Sequence, residues 1–238
     1  MKRLQADLHM HTLASGHAYG TIREMAQAAS EKGLRLIGLS EHAPGIPGTA
    51  DPFYYLNLKV IPRQLYGVDI LHGSEINVLP GGELSLEQRY IDRLDYAIIG
   101  VHTPCYQDGG RDRNTRDVIR CMENPKVRFV SHPDDSRFPL DYPLLVREAH
   151  AHGVALEVNN TSLARGIRLG CRENYQTMLA ECGRMGVPIV VSSDAHDPSW
   201  VGEFSAACAL LEELEFDESL ILNSDAERVK QFLLGERI

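Results

Sequence analysis

The stretch Pro188-Ile189-Val190-Val191-Ser192-Ser193-Asp194-Ala195-His196 is an apolar, β-branched run that ends in a carboxylate and an imidazole. A short run of this kind, bounded by polar residues, reads as a buried strand. Six similar runs lie upstream. They are Ala6-Asp7-Leu8, Leu36-Ile37-Gly38-Leu39, Ile70-Leu71-His72-Gly73, Ala97-Ile98-Ile99-Gly100-Val101, Val127-Arg128-Phe129-Val130 and Val154-Ala155-Leu156-Glu157-Val158. Segments of helical period separate them. Ile22 to Lys32 is closed by Gly33, Tyr142 to His152 by Gly153, and Arg172 to Met185 by Gly186 with Pro188 beyond. Pro198 to Glu213 reads as carrying another helix, and Asp225 to Gly235 as a C-terminal helix opened by an aspartate cap. Pro44 to Pro62, rich in proline and tyrosine, assigns itself to no element. Hydrophobic strands alternating with helices imply a parallel sheet covered by helices. Seven such units without a dinucleotide fingerprint imply a closed or nearly closed α/β barrel, read as one domain over 1–238.

Composition fits that reading. The chain has 238 residues, 43% hydrophobic and 24% charged, enough for one barrel with a sizeable core. The net charge of -9 disfavours duplex nucleic acid or an anionic membrane as the main partner. No run of 18 apolar residues occurs, so no membrane span is expected. The start, Met1-Lys2-Arg3-Leu4-Gln5-Ala6-Asp7, is charged at once and does not read as a signal peptide. Five scattered cysteines with no C-x-x-C pair indicate neither a disulfide framework nor a thiolate zinc site, and a cytoplasmic location is expected. The sequence leaves a homo-oligomer open.

The ten histidines are the outlying feature, because of where they fall. The runs are followed by His9-Met10-His11, Ser40-Glu41-His42, Gly73-Ser74-Glu75, His102, Ser131-His132, and Asp194 with His196. A metal-capable residue thus stands at the C-terminal end of every run but the sixth. In a parallel barrel those ends share one face, where barrel active sites are built. His17, in the loop after the first run, reaches the same rim. Imidazole and carboxylate suit zinc, iron and manganese. His72, inside a run, and His150 and His152, on a helix, are set apart as structural or solvent-facing.

The string Asp7-Leu8-His9-Met10-His11-Thr12, taken with Ser40-Glu41-His42, Gly73-Ser74-Glu75, His102, Ser131-His132-Pro133 and Ser193-Asp194-Ala195-His196, resembles the PHP superfamily, named for polymerase and histidinol phosphatase. The resemblance covers essentially the whole chain. It is nearest to the small YcdX-like phosphatases, in which Ala14-Ser15-Gly16-His17-Ala18-Tyr19 and Asn159-Asn160 also have counterparts. It implies a distorted seven-stranded (β/α)7 TIM-like barrel with a trinuclear metal centre. His9, His11, Glu75 and Asp194 would hold one ion. Glu75 would bridge to a second, held also by His102 and His132. His17, His42 and His196 would hold the third. One departure is Glu41-His42, where the family more often has Asp-His. Glu41 is expected behind the ligands, and Asp7 is expected to partner a ligand histidine.

Three divalent ions, zinc first with manganese or iron also suited, carry about six positive charges against two carboxylates, a centre made for an anion such as phosphate. The expected reaction is hydrolysis of a small-molecule phosphate monoester by a hydroxide bridging two metals, with Glu75 and Asp194 as the catalytic carboxylates. Arg165, Arg168 and Asn160, after the sixth run, are expected to bind the substrate. Arg111 and Arg113, read as loop charges after His102, are weighed as further phosphate contacts. Tyr54, Tyr55 and Tyr106 are read as packing more than as pocket lining. Two alternatives stand beside this reading: a phosphodiesterase or exonuclease acting on nucleotides or short nucleic acids, and a non-catalytic metal-binding regulatory module.

Overall fold

The computed structural model describes residues 3–235, so Met1 and Lys2 of the N-terminal reading lie outside it. Its strands are β1 (Ala6–Asp7), β2 (Leu36–His42), β3 (Gln64–Leu65), β4 (Val68–Leu79), β5 (Glu83–Leu84), β6 (Ala97–Gly100), β7 (Val127–Val130), β8 (Ala155–Asn159) and β9 (Ile189–Ser192). Its helices are α1 (Ile22–Glu31), α2 (Phe53–Leu56), α3 (Gln88–Ile91), α4 (Arg111–Met122), α5 (Tyr142–His152), α6 (Asn160–Arg165), α7 (Cys171–Met185), α8 (Ser205–Glu213) and α9 (Ala226–Leu234). None is long and apolar enough to cross a membrane.

Seven strands run parallel in the order β1-β2-β4-β6-β7-β8-β9, while β3 and β5 flank β4 antiparallel. These seven are the seven apolar runs of the sequence. The outcome is a nearly closed, distorted (β/α)7 TIM-like barrel. One boundary differs from expectation. The third run does not stop at Gly73 but continues through Glu75 to Leu79. Its partners explain this: β4 pairs with β2 up to His42↔Glu75, then with β6 from Glu75↔Ile98 to Asn77↔Gly100. The stagger required to close a barrel thus sets Glu75 in mid-strand, level with the end of β2.

The seam between β9 and β1 carries the distortion. Above it, Met10 and Ala195 form a parallel bridge, with the His11 N–H donating to Ala195 O at 2.8 Å and the Asp194 N–H to His9 O at 2.9 Å. Below it, among the described residues, no backbone pair spans the gap, and the buried Asn223 side chain does so. Its amide nitrogen donates to Ala6 O (2.9 Å) and Val191 O (2.7 Å), and its oxygen accepts from the Val191 N–H (3.1 Å). Buried strand-edge groups need such partners.

Inside the barrel, each of the seven strands contributes to one apolar cluster: Ala6, Leu36, Leu71, Ile98, Phe129, Ala155 and Val190. Tyr96 plugs it, its hydroxyl donating to Leu8 O at 2.6 Å. A Cβ at position 73 would stand 2.7 Å from its ring, which is why β4 carries glycine there. Burying a ring of this size contributes about 1.5–3 kcal/mol.

Several helices depart from the sequence reading: α2, α3 and α6 are short ones it leaves unassigned, α6 holding Arg165 where a loop is expected, and α4 and α8 differ as well. Residues 111 and 113 are not in a loop but in the first turn of α4. Its buried face is half polar, which hides the helical period: Asn114, Thr115 and Asp117 lie beside Val118, Cys121 and Met122. Between Pro198 and Glu213, a 3-10 turn (Pro198–Trp200) precedes α8, which begins only at Ser205.

Candidate metal centre

All nine predicted ligands meet at the C-terminal mouth of the barrel. Around Glu75 Oε2 stand His9 Nε2 (3.3 Å), His11 Nε2 (3.6 Å) and His42 Nδ1 (2.9 Å). Asp194 Oδ1 lies 3.5 Å from His9 Nε2 and 3.3 Å from His11 Nε2, and those two nitrogens are 3.1 Å apart. Around Glu75 Oε1 stand His132 Nε2 (2.7 Å) and His102 Nε2 (3.3 Å). His17 Nε2 and His196 Nε2 are 3.2 Å apart, and the His42 ring centroid is 4.9 Å from that of His17. Metal–nitrogen bonds of about 2.0–2.1 Å in a tetrahedron put neighbouring ligand atoms roughly 3.3 Å apart, so these spacings fit ions. Among the described residues, four groups have the reach to hold a cation: His9-His11-Glu75, His9-His132-Asp194, His42-Glu75-His102 and His11-His42-His196. His42 therefore belongs with Glu75 and His102 as well as with the outer histidines.

The backbone is bent to serve this cluster. His132 (φ 31°) and Asp194 (φ 55°) are left-handed without being glycine. Such residues cost about 1–3 kcal/mol each and persist where their surroundings hold them. The His132 N–H is held by Glu157 Oε2 at 2.6 Å, and the Asp194 N–H by His9 O. Gly100 leaves room for the ligands, since a Cβ there would lie 2.9 Å from Glu75 Oε1.

A further layer aims the imidazoles. His9 Nδ1–H donates to Glu157 Oε1 at 2.7 Å, which turns Nε2 toward the centre. His11 Nδ1–H donates to Ser15 Oγ (3.1 Å), whose own proton goes to Glu41 Oε2 (2.6 Å). Glu41 also accepts from the Thr12 N–H and hydroxyl, so the glutamate of Glu41-His42 does orient a ligand, through Ser15. His102 Nδ1–H donates to Asn77 Oδ1 at 2.8 Å. Asp7 does not take the role expected of it. Its carboxylate accepts from the N–H groups of Ser193 (3.1 Å) and Gly202 (2.8 Å), so it braces the turn that carries Asp194, and Glu157 partners the ligand histidine instead. Burial pushes the Asp7 pKa up to about 6, against the pull of those hydrogen bonds.

The electrostatics are those of interlocked acids and bases. Burial opposes charge on His9, yet Glu157, Glu75 and Asp194 hold its pKa well above the usual histidine value. Burial also opposes ionisation of Glu75, and His102, His9, His42 and His132 outweigh it, keeping the carboxyl far below its ordinary range. Burial, with Arg168 adding to it, brings His132 down to about 4, so that ring stays neutral and able to ligate. Glu75 Oε2 and His42 Nδ1 are buried and make no hydrogen bond. The two atoms are 2.9 Å apart, and a cation beside them would satisfy both as neighbouring ligands, so the donor set fits bound metal.

Above the cluster opens a cleft of about 500 Å³, lined among others by Glu75, Asp194, His196, Arg165 and Arg168. Arg168 is largely buried. Its guanidinium lies 3.9 Å from Asp194 Oδ2 and 3.8 Å from Asp134 Oδ1, and donates to Ser162 Oγ at 2.5 Å. Arg165, exposed at the end of α6, stacks over the Trp200 ring at 4.5 Å.

Asn160 is a correction. Its side chain is buried away from the cleft, with Oδ1 accepting from the N–H groups of Ala206 and Ala207. Its neighbour Asn159 faces the site and donates to Asp194 Oδ2 (3.1 Å) and Glu157 Oε2 (3.2 Å). β8 ends at Asn159, which caps α6, and Asn160 is the first residue of that helix, so the change of element between them sends the two side chains in different directions. Arg111 and Arg113 are exposed on α4, outside the cleft, near Asp112 and Asp117. Tyr55 and Tyr106 are buried and hydrogen-bonded to Ser74 and Asp117, while Tyr54 packs edge-on against Tyr55. His72 is buried within β4, His150 is exposed on α5, and His152 is half-buried there.

Comparison with known proteins bears on this geometry. A family model described as the PHP domain matches residues 7–163. The probable phosphatase TTE1963 of Caldanaerobacter subterraneus subsp. tengcongensis is 38% identical over 237 residues, covering 99% of this chain and 93% of its own. Among solved structures, histidinol phosphate phosphatase from Lactococcus lactis, complexed with zinc, L-histidinol and phosphate, has a TM-score of 0.63 at 17% identity, covering 90% of this chain and 94% of its own. One chain from the crystal structures of YwqE from Bacillus subtilis and CpsB from Streptococcus pneumoniae, described as unique metal-dependent tyrosine phosphatases, has a TM-score of 0.59 at 20% identity, covering 98% of this chain and 96% of its own.

Proposed function

The chain belongs to the PHP domain family, and we propose that it is a phosphomonoesterase that hydrolyses a small-molecule phosphate ester at a centre of three divalent metal ions. That it is a hydrolase of phosphoric ester bonds follows from the family and from relatives named as probable phosphatases. The number of ions and the class of ester are the proposal. The observation that carries it is the meeting of nine imidazole and carboxylate side chains at one barrel mouth, with Glu75 Oε2 and His42 Nδ1 left without hydrogen bonds.

On this reading His9, His11, Glu75 and Asp194 would hold one ion, Glu75 with His102 and His132 a second, and His17, His42 and His196 a third. Zinc suits this nitrogen-rich set, as do manganese and iron. When bound, the ions supply Lewis acidity toward a phosphoryl oxygen and toward an attacking water. The protein does the rest. Glu157, Asn77 and the Ser15–Glu41 pair fix the histidine tautomers, so no ring has to turn during the reaction. Arg168, held between Asp134 and Asp194, presents a guanidinium at the cleft floor for a phosphoryl oxygen. Arg165 stands at the mouth, where it draws in an anion. Glu75 and Asp194 are the two carboxylates that face both the ligand cluster and the cleft.

The test is hydrolysis by metal-loaded protein of 4-nitrophenyl phosphate against its bis-ester. The monoester should be the better substrate, a chelator should abolish turnover, and zinc or manganese should restore it. Faster cleavage of the bis-ester would replace this reading with a phosphodiesterase. No turnover with any metal in a folded protein would leave a metal-binding module.

A further inference from the structure

We infer that the cleft carries a subsite for a flat, apolar leaving group, so that the ester taken is the phosphomonoester of a ring-bearing alcohol. This rests on the phosphatase reading above and deepens it. Tyr19, Ile167 and Trp200 line the same cleft as the ligand cluster while being 75%, 52% and 39% exposed. They come from three separate segments, after β1, α6 and β9, and converge only at this mouth. Tyr19 is tied to the centre through its N–H, which donates to His196 O at 2.8 Å. A single exposed apolar side chain needs no explanation, but several gathered at the rim of a polar site mark a binding surface.

The chemistry of the rim narrows the occupant. Tyrosine and tryptophan bind rings by offset or edge-on packing, and a guanidinium stacks on aromatic faces as well. Arg165 Cζ lies 4.5 Å from the Trp200 ring centroid, so a guanidinium and an indole stand together on the cleft wall. A polyol would instead need free hydrogen-bonding partners. The Thr161 hydroxyl already donates to Ser193 O (2.8 Å), and Asp197 Oδ1 accepts from both the Ser199 N–H (3.0 Å) and its hydroxyl (2.6 Å). With those two groups engaged, the rim offers Tyr19, Ile167 and Trp200 for packing against a ring.

Benzyl phosphate and glycerol 3-phosphate both release primary alkoxides, so comparing them on metal-loaded protein isolates recognition of the ring. Benzyl phosphate should have the higher kcat/KM by about tenfold or more, the effect expected of well-packed aromatic contact. Tyr19→Ala and Trp200→Leu should each raise its KM about fivefold, and that of the glycerol ester less than about twofold. Trp200 is the only tryptophan, so its fluorescence reports on the cleft directly. Benzylphosphonate should shift that emission and bind about tenfold tighter than methylphosphonate. Equal kcat/KM for the two esters, or equal loss for both in the variants, would overturn the subsite and leave the phosphatase standing. Hydrolysis of neither ester, with benzylphosphonate still bound more tightly, would sink the phosphatase reading and keep the subsite. Absence of both hydrolysis and selective binding would overturn both.

Discussion

The two halves of the candidate metal centre are built differently. In the deep half, His9, His11, Glu75, His132 and Asp194 are buried, and each imidazole is held by a protein group or by Glu75 itself. In the outer half, His17 is exposed and His196 is half-buried, and their nitrogens face mainly each other and the Asp194 carbonyl. A ligand already aimed loses little freedom when an ion arrives, whereas an exposed loop ligand must be ordered by the ion. The deep half is therefore a preformed site, and the outer half depends on occupancy.

The sharpest break of this comparison is His9→Ala. It removes a nitrogen from the middle of the deep half and should lower kcat/KM by about a thousandfold or more. Elemental analysis should show a loss of bound metal, and circular dichroism a retained fold. Near-normal turnover would mean that the deep half is not the reacting part. Glu157→Gln is subtler, since it keeps the shape but removes the charge behind His9. Metal affinity should fall about 10- to 100-fold on titration of the apoprotein, as for other groups behind ligands. Unchanged affinity would show that the buried carboxylate braces only the backbone of His132.

His17→Ala should cost about tenfold in activity with one ion lost and the deep ions retained. Partial chelation of the native protein should reproduce that stoichiometry, with the outer ion leaving first. Simultaneous loss of all ions would erase the distinction between the halves. Ser15→Ala should have the smallest effect on metal, a few-fold loss of affinity, because His11 keeps its place but loses its hydrogen-bond partner. It also strands the buried His42 N–H, so apoprotein unfolding should become easier by about 1–3 kcal/mol in a denaturant titration. A larger metal effect than that of Glu157→Gln would invert the order of bracing.

The sequence made the ligands readable and left their supports hidden. His9, His11, His42, His102, His132, Asp194 and His196 stood out because imidazole or carboxylate after an apolar run has no use in a core. Glu157 was equally visible as a carboxylate inside Val154-Ala155-Leu156-Glu157-Val158, a signal that reads as a buried, paired charge once burial is known. Asn159 and Asn160 could not be told apart, because their opposite facing depends on where β8 ends. Asn223 sits in a stretch without period or motif, and its role at the seam exists only because two strands fail to pair there. The helix over Arg111–Met122 was masked by polar residues on its buried face.

By itself, the sequence determined the seven parallel strands, the barrel and which imidazoles and carboxylates gather at its mouth. Those depend on local periodicity and on residue types that only one environment favours. Tertiary structure alone decided which side chains stand behind the ligands, which asparagine faces the site, how the seam closes and where the aromatic rim converges. These are relations between residues far apart in the chain. Their directions are set by strand stagger and backbone turns, which the order of amino acids does not display.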